Sequence, residues 1–259
     1  MNGNDLVLAT DLDGTFLGGP VEARRALYTS LRRRREATVV FVTGRDLDFI
    51  RELLADPEMP RPRYVIGDVG TTVVRGEDFR PVAEVQDAIA EAWGDANVRV
   101  MALLRGEPGL ELQPTAFRHR VSYYYDPARL RPQTLRLIED AGFEWLLSAD
   151  RFLDVLPRGI AKGPTLLRLI EAASLDADRV LVAGDTLNDL SLFETRLKGV
   201  AVGNSEPKLL DAIAGFDWIY RSALPGAAGI ADALAHFGMQ GEAQDAEVIA
   251  DHRLSSSAL

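Results

Sequence analysis

The sequence predicts an α/β fold: a doubly wound, Rossmann-like parallel sheet interrupted by a smaller α+β domain. Three observations carry that expectation. Apolar runs ending at Thr10, Val42 and Gly184 are each followed by a carboxylate or hydroxyl residue and a turn, as in strands buried on both faces. Amphipathic stretches of helical length separate these runs, so strands and helices alternate. From about residue 80 to residue 154 the rhythm changes to helices and strands in another order, which marks an insertion with a sheet of its own.

Taken in order, DLVLAT at 5–10 is the first strand, and Asp11 and Asp13 follow at its carboxyl end. Residues 20–36 read as a helix whose Leu27 and Leu31 face inward, leaving the arginines at 24, 25 and 32–35 on a solvated face. TVVFV at 38–42 is the second strand, followed by Thr43-Gly44-Arg45 and a helix through Leu54. Beyond a proline-rich connector, YVIG at 64–67 and TTVVR at 71–75 are short strands joined by a glycine turn. The insertion reads as a helix over 82–93, a strand over 98–104, a loop rich in Gly and Pro, a strand over 120–125, a helix over 128–141, and strands near 143–147 and 152–156. Alternation resumes with a helix over 163–173, a strand over 179–185, a helix from Asn188, a strand over 199–204 and a helix over 207–214. A short strand near 216–220 and a helix over 226–237 complete it. Residues 1–79 and 157–240 are therefore expected to form the core, 80–156 the insertion, and 241–259 a frayed tail.

Composition narrows the function. The 259 residues suffice for one large domain or a core with an insertion. A net charge of −10 disfavours nucleic acid and anionic membranes as partners, since both attract basic surfaces. No apolar run approaches the roughly eighteen residues that cross a bilayer. The first strand is expected within a few residues of Met1, so no signal peptide is expected there. Without cysteine there is no disulfide, thiolate metal site or thiol nucleophile, and a cytoplasmic protein is expected.

The strand ends carry the chemistry, because open parallel sheets bind ligands in the crevice at their carboxyl edge. Asp11 and Asp13 repel each other unless a cation lies between them, and Mg²⁺ suits oxygen ligands best. Thr43, ahead of a helix, can offer its hydroxyl and the following amides to phosphate oxygens, although a plain helix cap would look the same. Asp185 supplies a further carboxylate at another strand end, with Asn188 and Asp189 on the next turn. Lys162 stands at the start of a helix, where the macrodipole disfavours a cation. Lysine is otherwise found only at 198 and 208 in this arginine-rich chain, so a compact charge is wanted there.

DLDGT, Thr-Gly-Arg, Lys and GDTLND, in that order on the strand ends of one sheet, resemble the four motifs of the haloacid dehalogenase superfamily of phosphohydrolases. LATDLDGTFLG, FVTGRDLDFIREL, VSYYYDP, LDVLPRGIAKG and VAVGNSEPKLL are more narrowly similar to the sucrose-phosphate phosphatase group, and the insertion lies where that superfamily carries its larger α/β caps. The resemblance implies a Mg²⁺-dependent phosphatase that hydrolyses a sugar phosphate, sucrose 6-phosphate or a related glycoside phosphate, through an aspartyl-phosphate intermediate. Asp11 is its implied nucleophile, Asp13 its acid and base, and Lys162 its phosphate anchor. Asp11, the carbonyl of Asp13, and Asp185 are implied to hold the metal, with Asp189 close to the ion or orienting Lys162. Thr43, Gly44, Arg45 and Asn188 are implied to line the phosphate. A small sugar phosphate is the implied partner, in a monomer or small homo-oligomer, with room for association with the synthase that makes that phosphate. A phosphomutase, a phosphorylated receiver module and a silent sugar-phosphate-binding subunit of a synthase complex are the alternatives. Sugar selection is expected from the cap segment QPTAFRHRVS: Arg118, Arg120 and Ser122 share one strand face, and Val121 and Tyr123 pack inward on the other. Gln113 and His119 join them at the loop end.

Overall fold

The computed structural model describes residues 6–241, so all but the first residue of the predicted tail lies outside the described residues. At the centre of the larger sheet, β1 (Val7–Thr10) is flanked by β2 (Thr38–Val42) and β9 (Val180–Gly184), both parallel to it. β3 (Tyr64–Gly67) continues beyond β2, and β4 (Thr72–Arg75) folds back on it as an antiparallel edge. On the other side β10 (Lys198–Ala201) and β11 (Ile219–Arg221) complete seven strands. The chain runs outward from β1 in one direction, then returns to β9 and runs outward in the other. This reversal opens a crevice between β1 and β9.

Alternation within the strands covers both faces of this sheet. Leu6 and Leu8 point to one side with α1 (Val21–Arg33), α2 (Leu47–Leu53) and α9 (Gly226–His236). Val7 and Ala9 point to the other, against α6 (Lys162–Ala172), α7 (Leu190–Phe193) and α8 (Pro207–Ala212). That arrangement is the doubly wound core. No described helix is long and apolar enough to cross a membrane.

The inserted segment builds an antiparallel sheet from β5 (Leu110–Leu112), β6 (Val121–Tyr125), β7 (Phe143–Ser148) and β8 (Phe152–Pro157), in the order β5-β6-β8-β7. Val121, Tyr123 and Tyr125 face its helices α4 (Ala96–Leu103) and α5 (Pro132–Asp140), as the alternation predicts. The predicted strand over 98–104 is instead α4. Ala96, Val100 and Leu104, spaced four apart, are buried in the cap core while Val98 is 70% exposed, so the period is helical. β5 was hidden in the predicted loop, an edge strand of only three residues. α3 (Ala83–Trp93) joins the two sheets: Val85 and Ile89 pack on the core, Trp93 on the cap.

Candidate active site

Register decides which side chains meet. Thr10 lies level with Phe41 of β2 and Ala183 of β9. The residues one or two steps further, Asp11, Thr43 and Asp185, therefore emerge together at the carboxyl edge. Hydrogen bonds from the Asp11 amide to the Ala183 carbonyl (2.9 Å) and from the Thr43 amide to the Ile66 carbonyl (2.8 Å) fix their backbones there. Beyond Asp11 the chain makes one wide turn, in which the amides of Phe16 and Leu17 donate to the carbonyls of Asp11 (3.2 Å) and Leu12 (2.9 Å). Gly14 has φ +78°, and a Cβ there would lie 2.1 Å from Oδ2 of Asp185, so glycine alone lets the turn close on that carboxylate.

Lys162 opens α6 and is fully buried. Its Nζ donates to Oδ1 of Asp11 (2.7 Å), Oδ1 of Asn188 (2.7 Å) and Oδ1 of Asp189 (2.6 Å), which uses all three ammonium protons. Gly163 makes the approach possible, because a Cβ there would lie 1.8 Å from the Ser191 carbonyl oxygen. Burial disfavours the ammonium charge, yet Asp11 and Asp189 outweigh it and the Lys162 pKa is raised. The two carboxylates thus offset both the helix dipole and the desolvation of the lysine.

Asp189 is held in turn by the amides of Asp185 (3.0 Å) and Thr186 (3.1 Å), which donate to its Oδ2. Asp185 accepts from the Thr15 hydroxyl at Oδ1 (2.8 Å) and from the Asn204 side-chain amide at Oδ2 (3.2 Å). Asp11, Asp185 and Asp189 are all buried, with one oxygen of each within 4.8 Å of the others. Lys162 brings one positive charge against these three carboxylates. Burial, and then the neighbouring Asp189, push the Asp185 pKa up to about 7, and burial raises that of Asp11 despite the pull of Lys162. A deficit of positive charge among hard oxygen donors fits a divalent cation such as Mg²⁺.

Asp13 turns away from this cluster. Both its oxygens accept from Arg45, from Nε (2.8 Å) and Nη2 (2.9 Å), and the pair is about half exposed. Arg45 also lies over the Phe49 ring, 4.5 Å from its centroid. Thr43 is fully buried, and its hydroxyl oxygen accepts the Arg45 amide (3.1 Å).

The residues expected to read the sugar are dispersed. Gln113 donates its side-chain amide to the Tyr123 carbonyl (3.1 Å), within its own sheet. Arg118 is exposed, and its carbonyl accepts from Asn97 (3.3 Å). His119 is partly buried, 3.3 Å from the Gln86 amide nitrogen, and burial lowers its pKa. Arg120 and Ser122 both bond Asp154 of β8, and Arg120 also reaches Asp68 of the core. Sequence reasoning missed Thr15, Asn204, Asp68 and Asp154. Asn204 had a usable signal, since it follows the β10 strand and so falls at the same sheet edge as Asp11 and Asp185.

A family model described as sucrose-6F-phosphate phosphohydrolase matches residues 4–238. Over 239 residues, 92% of the chain, the sequence is 42% identical to glucosylglycerol-phosphate synthase of Pseudomonas anguilliseptica, but it spans only 31% of that protein's length. It is 29% identical to mannosylfructose-phosphate phosphatase of Agrobacterium fabrum, covering 90% of this chain and 97% of that one. Among solved structures, the sucrose-phosphatase of Synechocystis in complex with sucrose and phosphate superposes with a TM-score of 0.81 at 28% identity, covering 91% of this chain and 98% of that one.

Proposed function

The chain belongs to the sucrose-6F-phosphate phosphohydrolase family, and on that premise we propose that it hydrolyses the phosphate monoester of a small glycoside through an aspartyl-phosphate intermediate. The names of the three relatives described above share one chemical type, a glycoside bearing phosphate. Glucosylglycerol phosphate is the first candidate substrate, followed by sucrose 6-phosphate and mannosylfructose phosphate. The observation that carries the reading is Asp11, buried at the switch point with Oδ1 bonded to Lys162. Lys162 orients the carboxylate and leaves Oδ2 to attack phosphorus.

As the new Oδ2–P bond forms, the bond from phosphorus to the sugar oxygen breaks, and that oxygen takes a proton from Asp13. Asp13 then takes a proton from the water that attacks phosphorus, which breaks the acyl-phosphate bond and regenerates Asp11. Arg45 must first release an oxygen of Asp13, which then takes up a proton from solvent before it can donate one; the pair is about half exposed, so water reaches it. The hydroxyl of Thr43, its oxygen already accepting from Arg45, has its proton for a phosphoryl oxygen, and Asn188, whose Oδ1 accepts from Lys162, has its side-chain amide protons to complete the cradle. Lys162, expected from the resemblance to anchor phosphate, has all three protons engaged and instead contributes its charge from behind Asp11. Asp11 and Asp185, with the Asp13 carbonyl, would hold Mg²⁺, which supplies charge against the phosphoryl oxygens when bound. Asp189 fixes Lys162.

The test offers the chain and Mg²⁺ a panel of sugar and disaccharide phosphates. Release of inorganic phosphate, fastest from a glycoside phosphate, is expected. Transfer of phosphate within the sugar without release would make the protein a mutase. Binding without turnover across the panel would make it a silent sugar-phosphate-binding subunit.

A further inference from the structure

Arg120 belongs to the cap by sequence but is held by both domains. Its Nη1 lies 2.9 Å from Oδ1 of Asp154 on β8, and its Nη2 lies 3.0 Å from Oδ1 of Asp68 in the core. Nη2 also donates to the Gly44 carbonyl (3.3 Å). The three side chains are only 12%, 13% and 7% exposed, in the order Arg120, Asp68, Asp154. Both carboxylates have further partners: Ser122 donates to Asp154, and Thr72 donates to Asp68 (2.7 Å). A guanidinium so engaged has few donors left for a sugar, which argues against the direct reading role its strand position suggested.

Its core contacts lead to the phosphate cradle instead. The Gly44 carbonyl and the Arg45 amide belong to one peptide plane and point in opposite directions. Arg120 holds the carbonyl, and the amide donates to the Thr43 hydroxyl (3.1 Å). Asp68 begins a turn in which it and Val69 have φ +52° and +59°, a conformation that a β-branched residue adopts only under strain. That turn ends at Gly70, whose carbonyl accepts from Thr165 of α6 (2.8 Å), the helix that Lys162 opens.

We propose that Arg120 is a positioning residue: by bridging Asp154 of the cap to Asp68 and Gly44 of the core, it latches the cap shut and sets the Thr43-Gly44-Arg45 turn for phosphate. Its catalytic consequence rests on the phosphatase reading; its mechanical one does not. The second described ion pair between the sheets' surroundings, Lys208 with Asp150 (2.9 Å), is about two-thirds exposed and serves as a control.

The test exploits the absence of cysteine. Val98→Cys in the cap and Leu167→Cys in the core, at exposed positions, carry spin labels whose separation reports cap position. Asp68→Asn is the informative variant, because asparagine tolerates the left-handed backbone and can still accept from Thr72. Asp68→Asn and Arg120→Met should each broaden the label distances toward an open cap, and the double variant should add nothing further. Both should lower kcat/KM tenfold or more, by a similar factor for a small aryl phosphate and for the glycoside phosphate, whereas Lys208→Ala changes neither readout. Label distances unaltered by Asp68→Asn would overturn the latch. A loss confined to the glycoside phosphate would return Arg120 to direct sugar contact. The distance measurement decides the mechanical claim even if no phosphate is turned over.

Discussion

Lys162 shows how much one side chain can be asked to hold. Fully buried, it bonds Asp11, Asn188 and Asp189 at once, and each bond depends on the compact three-proton head of an ammonium. Lys162→Arg conserves the charge but brings a larger planar group with donors in the wrong directions. It should lower kcat/KM at least tenfold, about 1.4 kcal/mol of transition-state stabilisation. Wild-type kinetics in that variant would reduce Lys162 to a structural ion pair. The lysine was legible in the sequence because a cation at a helix start is out of place. Asp68 and Asp154 were not legible as partners of Arg120. Asp154 carries a hint, a carboxylate within the apolar run FLDVLP that must find a partner if buried. Its partner lies 34 residues away in sequence, and nothing local names it.

At the scale of elements, the wide turn after β1 works because Gly14 fits under Asp185. Gly14→Ala would force a Cβ toward Asp185 Oδ2 while holding the residue at positive φ, a strain of about 1–2 kcal/mol before any displacement. The turn should shift, carrying Thr15 and its hydrogen bond to Asp185 with it. Titrating activity against Mg²⁺ should then show a raised requirement and a lower maximum; an unchanged titration would mean that the turn and the carboxylate are not coupled. The strands of the parallel sheet were readable because each is a short apolar run with a polar terminus. α4 was misread for a physical reason: a short apolar segment such as VRVMALL fits either period until the packing partner is known. Its partner is a cap sheet that lies across Val100 and Leu104, not Val98.

At the scale of the whole molecule, three buried carboxylates facing one lysine make the ligand-free protein less stable than its apolar core allows. A cation bound only by the folded state should repay this, and the stabilisation follows mass action, about 2.7 kcal/mol at a hundredfold excess over Kd. Millimolar Mg²⁺ is therefore expected to raise the thermal midpoint by several degrees, and EDTA to reverse the shift. Asp185→Ala should lose most of it. A midpoint indifferent to Mg²⁺ in the unmodified protein would contradict the proposed metal site. The division into core and cap follows the same logic of charge and access. The buried carboxylates sit at the edge of one sheet, and Arg120 pairs with Asp68 on that side and with Asp154 of the other sheet.

The central claim is that Asp11 becomes covalently phosphorylated. It is tested most directly in the Asp13→Asn variant, given an aryl phosphate whose leaving group needs no proton, quenched in acid and digested for mass spectrometry. Attack by Asp11 should proceed while hydrolysis stalls, so the peptide containing Asp11 should gain the mass of one phosphoryl group, and Asp11→Asn should abolish the signal. An unmodified Asp11 peptide from enzyme that still releases the aryl alcohol would contradict the covalent mechanism and leave direct attack by water in its place.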